Sequence, residues 1–119
     1  MKIFRFDAEV GREIDKFGSI NFILAAVAQL NSDSRISCFH LGVNGVVGYH
    51  QAVSPQLFLL VQGEGWVRNE MSGRITLTAG RAAFWEKGEW HESGTDTGLM
   101  AIVIESELLN PAEFMLREE

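Results

Sequence analysis

Glycines and turn signals recur at short intervals along this chain, which favours many short strands over long helices. Twelve of its 119 residues are glycine and only two are proline. Ile20, Phe22, Leu24, Ala26, Ala28 and Leu30 share one parity, with Asn21 and Gln29 on the other, the two-residue period of a strand. Ala25 and Val27 blur that period, and a helix capped by Ser19 stays open as the alternative. Asn31 to Ser34 reads as a turn. Arg35 to Leu41 alternates again and is expected to end at Asn44-Gly45. Leu57 to Val61 is an unbroken apolar run, as in a strand covered on both faces. Gly63-Glu64-Gly65 then predicts a hairpin turn, with Trp66 to Arg68 as its returning strand. Beyond a polar loop at 69–74, strands are expected over 74–78, 82–85, 91–93 and 99–105. Asn110-Pro111 can cap a short terminal helix over Ala112 to Leu116. Eight or so short strands with no long helix imply an all-β sandwich or barrel, one domain over residues 1–119.

Charge narrows the range of partners. The net charge is −6 and no Lys/Arg cluster exists, so a phosphate backbone is repelled and nucleic acid is not an expected partner. Hydrophobic residues make up 46% and charged residues 22%, which suits a folded globule. Cys38 is the single cysteine, which rules out an internal disulfide. The first residues carry Lys2, Arg5 and Asp7 where a signal peptide needs an apolar run. Phe22 to Ala28, the longest apolar stretch, is too short to span a bilayer. A cytoplasmic protein without a membrane partner is the expectation.

Two stretches carry the functional information. The first runs from Gly45 through His50, Ala52 and Gln56 to Gly63. The second runs from Gly80 through Glu86, Gly88 and His91 to Thr95. Together they resemble the two motifs of the cupin superfamily, G-x5-H-x-H-x3-4-E-x6-G and G-x5-P-x-G-x2-H-x3-N. His50 falls on the first histidine of the first motif, and Gly63 closes it after six intervening residues from Gln56. Gly80, Gly88 and His91 fall on fixed positions of the second. Ala52 stands at the second histidine, Gln56 at the glutamate, Glu86 at the proline and Thr95 at the asparagine. The leading glycine, Gly45, is one place off.

The resemblance implies a double-stranded β-helix, or jelly-roll barrel, with the side chains of His50, Gln56 and His91 converging inside it. In cupins three histidines and a glutamate usually hold a divalent transition metal such as Ni, Zn, Mn or Fe. Here two of those four ligands are changed, so any metal is expected to be weakly held. Glu89, two residues before His91, is a candidate acid or extra ligand. Cys38 and His40 share a parity and are candidates to face inward. Phe58, Trp66 and Trp85 are candidate pocket walls. His50 and His91 stand either as a metal-binding pair or as hydrogen-bonded residues of a metal-free pocket. The functional readings are a small-molecule-binding barrel with a weak metal, a metal-free binding or sensing module, and a metal-dependent dioxygenase or isomerase type of enzyme. A scaffold whose role is association is a further alternative. A homodimer through the N-terminal strand and an outer sheet face is also expected, since small cupins often pair this way.

Overall fold

The computed structural model describes residues 4–5, 8–31 and 33–118. Its eight strands are β1 (Arg12–Glu13), β2 (Ile20–Asn31), β3 (Ser34–Gln51), β4 (Gln56–Asn69), β5 (Ile75–Thr78), β6 (Ala82–Trp85), β7 (Trp90–Gly94) and β8 (Leu99–Glu105). Helical structure among the described residues is limited to three single turns of 3₁₀ type, at Ala8–Val10, Lys16–Gly18 and Pro111–Glu113. The fold is thus the expected jelly-roll barrel with no core helix, and residues 20–30 are strand. The terminal helix shrinks to the Pro111–Glu113 turn. No helix of the described residues is long and apolar enough to cross a membrane. The N-terminal strand expected to take part in a dimer falls largely outside the described residues.

Two strands are long because each serves both walls of the barrel. The first half of β3 pairs with β2 and β8, and its second half pairs with β7. The first half of β4 pairs with β6 and β8, and its second half with β5 and β7. One wall therefore runs β1–β2–β3–β8–β4–β6 and the other β3–β7–β4–β5. This corrects two readings. Asn44-Gly45 does not end a strand; Asn44 adopts a left-handed φ of 57° and β3 continues around a corner to Gln51. Gly63-Glu64-Gly65 is not a hairpin turn either. It is the corner of β4, with Gly63 at φ +89° and a register shift between Leu60 and Gln62.

The core lies between the two walls. Phe22, Phe39, Leu41, Phe58, Leu60 and Val103 from the first wall meet Val47, Val67 and Leu77 from the second. Phe39 lies between the rings of Phe22, at 4.6 Å, and Phe58, at 6.3 Å. Each such buried side chain contributes about 2 kcal/mol.

Gly63 is fixed by two demands at once. Its φ is left-handed, and a Cβ there would overlap the carbonyl oxygen of Gly98. Gly63→Ala is expected to cost about 2–3 kcal/mol, read as a lowered urea midpoint with an unchanged strand-type circular dichroism spectrum. An unaltered midpoint would show that the corner does not depend on this glycine.

Candidate functional site

His50 and His91 are cross-strand partners, His50 on β3 and His91 on β7. Side chains directly opposite in an antiparallel pair stand on the same face, within contact. Their ring centroids are 4.5 Å apart, with planes inclined by 55°. A register shift between Val47 and His50 sets this meeting. Phe39, Leu41 and Val47 point into the barrel on odd numbers, and the irregularity turns the even-numbered His50 inward as well.

The pair sits within a row of stacked rings. Phe17 lies flat on His50, with centroids 4.3 Å apart and planes within 5°. On the far side Trp85 stacks on His91 at 4.4 Å. Phe58 then meets Trp85 edge-on at 6.1 Å. Phe17 thus closes the outer end of a row that runs inward to the core. It belongs to the Lys16–Gly18 turn and holds a left-handed backbone, φ 61°, uncommon for a bulky residue. The turn lies tightly against β3: a Cβ on Gly48 would overlap the carbonyl oxygen of Phe17. The Gly48 amide also donates to the Ser19 hydroxyl at 3.0 Å.

Both imidazoles have their proton placed by a backbone carbonyl. Nδ1 of His50 donates to the Gly48 carbonyl at 2.7 Å, and Nδ1 of His91 to the Glu89 carbonyl at 3.4 Å. A carbonyl only accepts, so in the neutral ring the proton sits on Nδ1 and Nε2 carries a bare lone pair. His91 is 1% exposed, and its Nε2 is buried without a hydrogen-bond partner. An orphaned polar atom of this kind costs about 1–3 kcal/mol. Burial pushes the His91 pKa down from 6.5 to about 4, and the neighbouring His50 adds to the effect. The Glu89 carbonyl and carboxylate oppose it without reversing it. His91 is therefore neutral at pH 7.

The other candidate residues are placed differently. Gln56 is buried, and its amide donates to the Glu105 carboxylate at 3.4 Å. Its link to the histidines runs through Trp85, its cross-strand partner. Glu89 turns its carboxylate into the 86–89 turn, accepting from the Asn69 amide at 2.6 Å and the Glu86 backbone N–H at 3.0 Å. Ala52, at the position of the absent histidine, is buried and holds the same turn through hydrogen bonds with Glu89 and Gly88. Phe58, 1% exposed, is core, and Trp85 is the wall against which His91 rests. Trp66 stands on the opposite face of β4 from the core residue Val67, beneath the Arg74 guanidinium at 3.8 Å. It is not a wall of the barrel interior. Cys38 and His40 lie on the parity opposite to Phe39 and Leu41, with Cys38 fully buried and its Sγ 3.5 Å from His40 Nε2. Among the described residues no three His, Cys, Asp or Glu side chains group as metal ligands. Two shallow depressions, of about 170 and 160 Å³, open on the surface away from the pair, beside Glu105 and beside Trp66.

Phe17 is the participant that the motifs did not reveal. It lies 33 positions before His50 in the sequence, and its only local trace is an aromatic residue before a glycine.

No protein-family model matches the chain, and no curated protein matches it. Solved structures share its fold. A cupin-like protein from Thermotoga maritima superposes with a TM-score of 0.74 at 14% identity, over 91% of this chain and 83% of that one. A protein of the same organism described as a predicted oxalate decarboxylase gives 0.73 at 17% identity, over 87% and 98%. A cupin superfamily protein from Desulfitobacterium hafniense gives 0.70 at 16%, over 89% and 92%. The chain has the cupin barrel fold.

Two outcomes test the site. Above pH 6.5 His91 is neutral in the folded and the unfolded chain. As pH falls toward 4 the unfolded chain takes up a proton that the folded chain refuses. Stability contributed at neutral pH is therefore lost on acidification, by about 3 kcal/mol in total. His91→Phe, a ring of similar shape, should flatten this part of the profile in urea melts. An equally steep profile would place the titration elsewhere. Separately, Gly48→Ala should lift Phe17 from His50 and speed acylation of His50 by diethylpyrocarbonate several-fold. An unchanged rate would mean that Phe17 does not shield the ring.

Proposed function

We propose that this barrel binds a small molecule at the His50–His91 pair, with a divalent transition metal held weakly by the two imidazoles. The orphaned Nε2 of His91 carries the reading. It is a lone pair with its tautomer fixed by a backbone carbonyl, on a ring that stays neutral at pH 7, with a second imidazole directly across the strand pair. Fixing the far nitrogen is what orients a ligating histidine.

The donor set fits such an ion in part. His50 and His91 would hold it. Gln56 and Glu89 have their polar ends engaged by Glu105, Asn69 and Glu86, and Ala52 offers no donor. When bound, the metal would supply a Lewis-acidic point of attachment, and a set of neutral donors leaves it its full positive charge. An anionic small molecule completes the shell best, so metal and anion are expected to bind cooperatively. The chain's own part is to hold both protons on Nδ1, exclude water behind His91 with Trp85, and cover His50 with Phe17. The fold hosts many chemistries, so the reading rests on this pair.

A metal-free binding module is the second reading, favoured by the engagement of Gln56 and Glu89 elsewhere. Calorimetry with Ni²⁺, Zn²⁺ and Mn²⁺ separates the two. The expected result is weak binding that disappears in His50→Ala and in His91→Ala, and strengthens in the Ala52→His, Gln56→Glu double variant. No binding by the wild type or the double variant would leave the metal-free module as the account.

A further inference from the structure

Four rings of the row at the histidine pair are carried by strands: His50 on β3, His91 on β7, Trp85 on β6 and Phe58 on β4. The ring at its outer end, Phe17, is carried by the Lys16–Gly18 turn, which contains no buried residue. His91 meets one face of His50 at a tilt of 55°. The face turned to Phe17 is met in parallel, within 5° at 4.3 Å. The residue that covers this flat face is itself 60% exposed.

Phe17 takes its place at a cost. A φ of 61° is disfavoured in a phenylalanine, and such strain persists only where the surroundings impose it. Here the surroundings are slight on one side. Gly18 follows at φ +70°, and a side chain there would meet nothing within 4 Å. On the other side the turn is joined to β3 at Gly48. The Gly48 N–H donates to the Ser19 hydroxyl at 3.0 Å, and the Phe17 carbonyl oxygen lies where a Gly48 Cβ would stand. Return of Phe17 to negative φ would relieve the strain and uncover His50.

We infer, on the reading that a small molecule binds at the His50–His91 pair, that the Phe17 position is the seat of a planar aromatic ring bearing a carboxylate. The Lys16–Gly18 turn fills that seat until such a ligand takes it. Two features specify the class. A flat ring reproduces the parallel stack that Phe17 makes on His50, and a puckered ring of the same size does not. The Gly48 N–H, now given to a neutral hydroxyl, would be given to the carboxylate when the turn lifts, a charge-assisted and stronger bond. Gly48 suits this role because a residue without a side chain lets a ligand approach its backbone closely.

The probes are benzoate and cyclohexanecarboxylate, equal in charge and similar in size but flat and puckered. They are titrated by NMR, with EDTA present, into wild type, Phe17→Gly and the Phe17→Gly, His50→Ala double variant. Glycine accepts the left-handed φ, so Phe17→Gly removes the ring and leaves the turn its backbone. A cover that is closed most of the time lowers apparent affinity by its open fraction. Benzoate should therefore bind Phe17→Gly about ten-fold tighter than wild type, and shift the His50 ring protons upfield. Cyclohexanecarboxylate should bind several-fold more weakly than benzoate, and the double variant should bind neither acid while keeping the strand spectrum. Equal affinity for the two acids overturns the inference, as does benzoate that binds Phe17→Gly no tighter than wild type or not at all. Ni²⁺ titration without EDTA reads the pair separately. Binding of Ni²⁺ that needs His50, with no preference for benzoate, removes the aromatic seat and leaves the pair as a site. Loss of both removes the site as well.

Discussion

Closing a barrel from few strands requires some strands to belong to both walls, and β3 and β4 meet that requirement here. A strand that changes walls must bend sharply without losing its hydrogen-bonded partners. The sequence supplies left-handed positions at the bends, Asn44 in β3 and Gly63 in β4. Everything else follows from those corners. β8 sits between β3 and β4 on one wall, and β7 sits between them on the other. His50 reaches His91 only because β3 has already turned onto the second wall.

The corners also set parity, and parity decides which side chains are available for function. Along β4, even residues Phe58 and Leu60 point inward before the corner, and odd Val67 points inward after it. A one-residue irregularity therefore sends Trp66 outside, where counting from Phe58 would put it inside. The same device on β3 brings His50 in. Side chains on a single flat sheet could not be assigned this way.

How much was legible in the sequence divides along this line. The two histidines and the barrel were legible, because the motif glycines and histidines keep their spacing whatever the path of the chain. The strand over 20–30 was legible from its period. The corner at Gly63 was misread because a tight hairpin and a corner ask the same thing of local sequence, a residue free to take positive φ. The difference lies in partners far away: Gly63 pairs with Leu99 and Glu64 with Thr78. The parity of Trp66, Cys38 and His40 was not legible for a related reason, since nothing local says which parity faces the core. Phe17 was invisible because its contact with His50 joins distant segments, and its backbone φ of 61° has no sequence signature in a phenylalanine.

The altered ligand positions make sense together. A carboxylate at position 56 would stand opposite Glu105 on β8, and two carboxylates at that distance would repel. The amide found there donates to Glu105 instead, so the exchange converts a repulsion into a hydrogen bond. At position 52, the backbone of the buried alanine clasps the 86–89 turn through Glu89 and Gly88. That turn in turn presents the Glu89 carbonyl that holds the His91 proton on Nδ1. Under the proposed reading these two residues accompany a site made of one pair of imidazoles, with Trp85 behind it and Phe17 in front. On the proposed reading, what such a site offers is a neutral, oriented lone pair on the buried His91 ring, beside an imidazole that Phe17 covers.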